Sequence, residues 1–326
     1  MNFQIRLPQE ALSHFAHRAI EKHFRKAMKH EEDVLADRDP ESLHQMRVGL
    51  RRLRTAIQVF GFATELPKSV NDAKIRKFAQ ILGAVRDLDV LKLELTSHTN
   101  LPEVEQKALK QTLKKLEHQR SQDFHRVQKT LNSDKYDEFK QAMEDWLALP
   151  KLGAIAQLPI HDVLPDILLP LITEILLHPA WLIDVEFAGD EKIFAPITSE
   201  SIRSQLKQDD LLHDLRKQMK RLRYQTELFT DFYGESYQKQ VQEFQNIQEV
   251  LGQIQDSVVL QEFLDRHLDD SIDKLCPIFA DQLEQKRTIA FQEWRSLQEK
   301  YLDPDFRTRL RKLICKTESS GRSGHS

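Results

Sequence analysis

Residues 43–60 laid over residues 212–229, an offset of 169 positions, agree at seven of eighteen places. Leu43, His44 and Arg47 fall on Leu212, His213 and Arg216, while Arg52, Leu53, Arg54 and Phe60 fall on Arg221, Leu222, Arg223 and Phe229. With no gap introduced, Leu82-Gly83 then meets Leu251-Gly252, and Asp87 meets Asp256. A chain of 326 residues that repeats itself this way is expected to form two related halves, each with its own core. Its punctuation says what those halves are made of. None of the twelve prolines lies between Pro40 and Pro67, Pro102 and Pro150, or Pro196 and Pro277, so long helices can run there unbroken. Nine glycines, two of them in the last six positions, are too few for a turn-dense β-sandwich or a phosphate-loop α/β fold. The expected fold is all-α: two four-helix bundles related by the internal repeat, with pseudo-twofold symmetry.

Apolar periodicity and caps place helices at about 9–36, 40–60, 68–95, 102–131, 135–148, 162–178, 199–231, 236–267, 271–301 and 304–315. The organisation expected is an N-terminal extension over 1–9, a first bundle over 10–155, a second over 156–316, and a disordered polar tail over 317–326. Within the second bundle, 179–208 reads as an irregular insertion with room for a short hairpin between Ala180 and Ala195. The start has no apolar core of a signal peptide, and Val163–Leu177 is too short and too charged to span a bilayer. Two distant cysteines, Cys276 and Cys315, fit a reduced, cytoplasmic compartment. With 48 basic and 51 acidic residues the chain is not a general nucleic-acid binder, although a local basic site is open to it.

That local site emerges on a helical wheel. Leu43, Met46, Leu50, Leu53, Ile57 and Phe60 share one face, and His44, Arg47, Arg51 and Arg54 share another. The second copy repeats the wheel, with Leu212, Leu215, Met219, Leu222 and Phe229 against His213, Arg216, Lys220 and Arg223. Like charges three and four residues apart cost roughly 0.2–0.5 kcal/mol each in an isolated helix. No acid lies between Arg47 and Arg54 to offset them. Such segregation needs a counter-charge: acidic side chains of a neighbouring helix, for which Asp87, Asp89 and Asp256 are the candidates, or an external polyanion. Guanidinium forks match phosphate oxygens and stay charged, so arginine suits a polyanion. A secondary basic set comprises Arg18, Lys22 and Arg25 on the first helix, with Arg52, Lys217, Arg221 and Tyr224 beside the two stripes.

Other chemistries find little footing. Glu41-x-x-His44 and Asp210-x-x-His213 have the spacing of di-iron bundles, but the adjoining arginines would repel a cation, so no metal or other cofactor is expected. No phosphate loop, zinc-protease or serine-hydrolase signature is present, and no enzymatic activity is expected. RNA binding through the phosphate backbone is the leading alternative, against which stands the scarcity of aromatics for base stacking. A structural adaptor whose arginines are neutralised internally is the third.

His44-Gln45-Met46-Arg47-Val48 with Arg51-Arg52-Leu53-Arg54, then Leu82-Gly83 and Arg86-Asp87-Leu88-Asp89-Val90, resembles the CHAD family, the conserved-histidine α-helical domain. Leu212-His213-Asp214-Leu215-Arg216 with Lys220-Arg221-Leu222-Arg223-Tyr224, then Leu251-Gly252 and Asp256, is similar to the same signature in the second half. The resemblance implies two pseudo-symmetric four-helix bundles binding inorganic polyphosphate in a basic cleft, and in bacteria an association with polyphosphate granules. It assigns binding to His44, Arg47, Arg51, Arg54, His213, Arg216, Lys220 and Arg223. Val258 stands where the first half has Asp89, so the supporting acids of the two halves differ. The E-x-E-x-K signature of the triphosphate-tunnel domain often joined to this family is missing from residues 1–10, which argues against triphosphate hydrolysis.

Overall fold

A computed structural model describes residues 10–97, 101–206 and 209–317, and the chain is helical almost throughout them. The expected extension over 1–9, and all of the expected tail except Thr317, lie outside the described residues. The helices are α1 (Leu12–Met28), α2 (Glu31–Leu35), α3 (Pro40–Phe60), α4 (Asp72–Ser97), α5 (Glu103–Leu131), α6 (Asp134–Ala148) and α7 (Ile160–Leu176). They continue with α8 (Ser199–Leu206), α9 (Asp209–Glu227), α10 (Glu235–His267), α11 (Ile272–Leu275), α12 (Pro277–Tyr301) and α13 (Pro304–Cys315). Caps set the cleanest boundaries. Asp39 accepts the Glu41 amide at 2.9 Å ahead of Pro40, and Asp303 accepts the amides of Asp305 and Phe306 at 3.0 and 3.1 Å ahead of Pro304.

Two expected helices are divided. The 9–36 segment breaks at Lys29-His30, where Glu31, Glu32 and Asp33 open a new first turn. The 271–301 segment breaks at Cys276, because the residue before a proline is turned away from helical geometry. The 199–231 segment is helical over Ser199–Leu206 and Asp209–Glu227, with 207 and 208 outside the described residues, and ends in a 3-10 turn over Thr230–Phe232. The insertion holds the hairpin its sequence allowed: β1 (Val185–Ala188) pairs antiparallel with β2 (Glu191–Phe194). Gly189 turns it at φ +64°, a conformation that glycine adopts without strain.

The chain divides into two compact units, Met1–Thr99 with Leu113–Val163 and Asn100–Thr112 with Leu164–Ser326. Residues 101–112 fall in the second unit with the chain from Leu164 onward, and a buried carboxylate ties them there. Glu105, only 3% exposed, accepts the amides of Ile278 and Phe279 at 3.1 Å each and so caps α12. That contact gives the start of α5 to the second unit.

In the first unit, α1 and α3 meet at small residues. A Cβ built on Gly49 would lie 2.7 Å from both the Cα and the N of Ala27, so the two backbones touch where glycine stands. Gly49→Ala is expected to lose about 1–3 kcal/mol through overpacking, despite alanine's better helix propensity. Urea unfolding followed by circular dichroism checks this, and a stability equal to or above the parent's refutes it. Phe24 meets Phe139 edge-on at 6.2 Å, and Phe78 meets Tyr136 at 5.2 Å, locking α1, α4 and α6 into one core. In the second unit, Trp181 stacks between Trp294 at 4.9 Å and Tyr301 at 4.7 Å, and Gln298 donates to the Ile183 carbonyl at 3.0 Å. The residues before the hairpin are thereby tied to α12.

Candidate anion-binding faces

The apolar side of each repeat helix is fully used. Leu43, Met46, Leu50 and Leu53 on α3, and Leu212, Leu215, Met219 and Leu222 on α9, are all 0–2% exposed. Their burial turns His44, Arg47, Arg51 and Arg54 toward α4, and His213, Arg216, Lys220 and Arg223 toward α10, all half-buried.

One arginine of each face lies over a glycine of the facing helix, tightly at Gly83 and in ordinary contact at Gly252. A Cβ at Gly83 would stand 3.2 Å from Nε and 3.5 Å from Nη2 of Arg47, and one at Gly252 would stand 3.6 Å from Nη2 of Arg216. Each guanidinium then reaches one acid a turn further along: Arg47 Nη2 is 3.6 Å from Asp87 Oδ1, and Arg216 Nη2 donates to Asp256 Oδ1 at 3.2 Å. Both acids are largely solvated, at 69% and 58% side-chain exposure, so the charge they offer is screened. Arginine, glycine and aspartate make the same contact in both units at positions 169 apart.

The histidines differ. His213 shares a hydrogen bond with Gln255 through Nδ1 at 2.8 Å. The corresponding place opposite His44 is held by Arg86, and His44 Nδ1 is buried with no hydrogen-bond partner among the described residues. Burial, and then the Arg86 charge, lower the His44 pKa below its ordinary 6.5. Arg86 itself meets no carboxylate among the described residues. It is the member of the first face that the wheel of α3 misses, because it belongs to α4. Its signal was its position three residues beyond Gly83, on the same side of that helix.

The C-terminal end of each stripe is committed inward. Arg54 forks onto Asp72 at 2.6 and 3.1 Å, and Arg223 donates to Glu227 at 2.6 Å and to Gln248 at 3.2 Å. Those two side chains brace α3 to α4 and α9 to α10. Asp89 also stands elsewhere: two residues from Asp87 on a helix, it points to another side and accepts Arg120 Nε at 2.7 Å. Arg120 in turn forks onto Asp37.

The secondary set does not gather on these faces. Arg18 pairs with Glu10 at 2.8 Å, Arg25 with Glu144, Lys217 with Asp214 at 3.1 Å and Arg221 with Glu174 at 3.6 Å. Lys22 is exposed, Arg52 lies near buried His23, and Tyr224 is buried with the Arg223 guanidinium 5.5 Å from its ring centre. Helical periodicity resolves the sides of a helix but not which acid the next helix brings.

The fold and the paired faces together define an all-helical protein with half-buried cations over facing helices. The CHAD domain model matches residues 18–265, and the chain belongs to that family, which is associated with polyphosphate binding. The crystal structure of the CHAD domain from the plant Ricinus communis aligns over 95% of this chain and 94% of its own, with a TM-score of 0.59 and 22% identity. PptA from Streptomyces chartreusis aligns over 94% of this chain and 98% of its own, with a TM-score of 0.52 and 12% identity. At these identities the likenesses bear on the fold. Comparison with curated protein sequences gives no match. Among the described residues, no helix is long and apolar enough to cross a membrane.

Proposed function

We propose that the α3–α4 and α9–α10 faces bind inorganic polyphosphate without catalysis, in the cytoplasm and at polyphosphate granules where these form. The observation that carries this reading is the contact made by Arg47 over Gly83 and by Arg216 over Gly252. Each guanidinium is oriented by a glycine backbone and held by a single solvated acid. Further donors of its fork stay available to phosphate oxygens. His44, Arg51 and Arg86 extend the first face, and His213 and Lys220 the second. A bare phosphate chain needs no stacking platform, and the aromatic nearest these faces, Tyr224, is in the core.

The test is calorimetric titration with polyphosphates of graded length, beside a length-matched RNA, at two salt concentrations. Six phosphate contacts would give a log–log salt slope of about −4, at about 0.7 per contact. Arg54 and Arg223 leave that count and Arg86 joins it, so the expected slope lies between about −3 and −4. Polyphosphate should displace RNA, while RNA should hardly displace polyphosphate. Equal competition would favour the RNA reading, and the absence of binding to either polyanion at moderate salt would favour an adaptor with no polyanion ligand.

A further inference from the structure

The second unit carries a second concentration of positive charge, away from α9. An open cavity of about 510 Å³ lies between the start of α10 and helix α13. Arg309, Lys312, Leu313 and Lys316 line one side, and Tyr233 to Tyr237 the other. Between Arg307 and Lys316 the chain places five cations and no acid, within a protein whose net charge is −3. Arg309 has one acid, Asp303, at 3.7 Å. Lys312 and Lys316, one turn apart and both exposed, make no ion pair or side-chain hydrogen bond among the described residues. Two like charges at that spacing repel, and no acid lies between them in the chain.

The opposite wall is fixed and complementary. The Tyr233 and Tyr237 rings stack at 4.0 Å, and their hydroxyls are already spent, on the carbonyls of Ile314 at 3.0 Å and Thr226 at 2.9 Å. The first of these bonds pins α13 beside the start of α10. Gly234 caps α10 without a side chain, so the Glu235 and Ser236 amides have no acceptor from it. Among the described residues one negative group lines the cavity, the Glu235 carboxylate, and Lys239 holds it at 2.7 Å one turn along the helix. Three cations therefore converge on a concave surface whose far wall offers amide donors at the positive end of a 33-residue helix.

We infer that this cavity is a separate anion site for a short inorganic oligophosphate, held by Lys312, Lys316 and Arg309 and by the amides of Glu235 and Ser236. It uses none of the residues of the arginine faces and stands whether or not those faces bind polyphosphate. The test is an amide-resolved NMR titration of the full ¹⁵N-labelled chain with tripolyphosphate. The Glu235 and Ser236 resonances are expected to shift saturably. Lys312→Gln with Lys316→Gln, exposed positions whose replacement keeps the helix, is expected to weaken the affinity read at those amides by about tenfold or more. Arg47→Glu with Arg216→Glu is expected to leave it unchanged, which separates failure of this site from failure of the arginine faces. Amides that do not move at saturating tripolyphosphate, or a double glutamine variant that titrates like the parent, would overturn the site.

Discussion

Polyphosphate affinity falls roughly 100- to 1000-fold when Arg47 and Arg216 are both replaced by glutamate, an expected loss of about 3–4 kcal/mol. Each reversal removes a guanidinium aimed at the ligand and puts a carboxylate beside Asp87 or Asp256, so lost attraction and new repulsion add. Neutral replacement by glutamine removes only the first effect and should cost about half as much in free energy. Lys135→Glu, an exposed site at the start of α6, is expected to change nothing beyond the general charge effect. Calorimetry on the three variants, with circular dichroism to confirm helix content, reads the result. Wild-type affinity in the double glutamate variant would remove the arginine faces from the function while leaving the fold untouched.

Mild acid is expected to destabilise the first unit through His23. Burial, followed by the charges of Arg52, Lys22 and Lys26, lowers its pKa from 6.5 to about 4. The folded state therefore favours neutral imidazole, and the unfolded chain binds the proton more readily. The stability held by the neutral form is complete above about pH 6.5 and is lost as the pH falls toward 4, an amount of roughly 3 kcal/mol. His23→Leu should flatten that dependence, because Nδ1 of His23 has no hydrogen-bond partner to lose among the described residues. Urea unfolding at pH 7 and pH 4.5 measures it: the parent should lose roughly 2–3 kcal/mol more than the variant between the two. Equal losses would show that His23 is not the acid-sensitive group. Arg52, beside this buried histidine, contributes to its acid sensitivity.

Where sequence reading succeeded, the relevant physics was local. The caps at Asp39 and Asp303, the proline-free windows and the apolar stripe of α3 each act within a few residues of themselves, so they could be read without knowing the neighbours. The recurrence of arginine, glycine and aspartate at one offset was also legible, whereas the contact of each arginine with the glycine of the facing helix was not. Arg54 and Arg223 show the limit. On a wheel they are indistinguishable from Arg47 and Arg216, yet Asp72 at the start of α4 and Glu227 one turn along α9 neutralise them. Asp89 shows it again, since its partner Arg120 lies 31 residues away on another helix.

The sequence by itself determined that this chain is helical, that its halves share a pattern, and that each presents cations on one side of one helix. Those properties follow from periodicity and capping, which a linear chain carries in full. Only the tertiary structure decided which acids and amides each cation meets. Neutralisation depends on distances of a few ångströms between side chains from different helices, and packing alone sets those. It also decided that residues 100–112 join the second unit, because the amides that Glu105 caps come together with it only after folding.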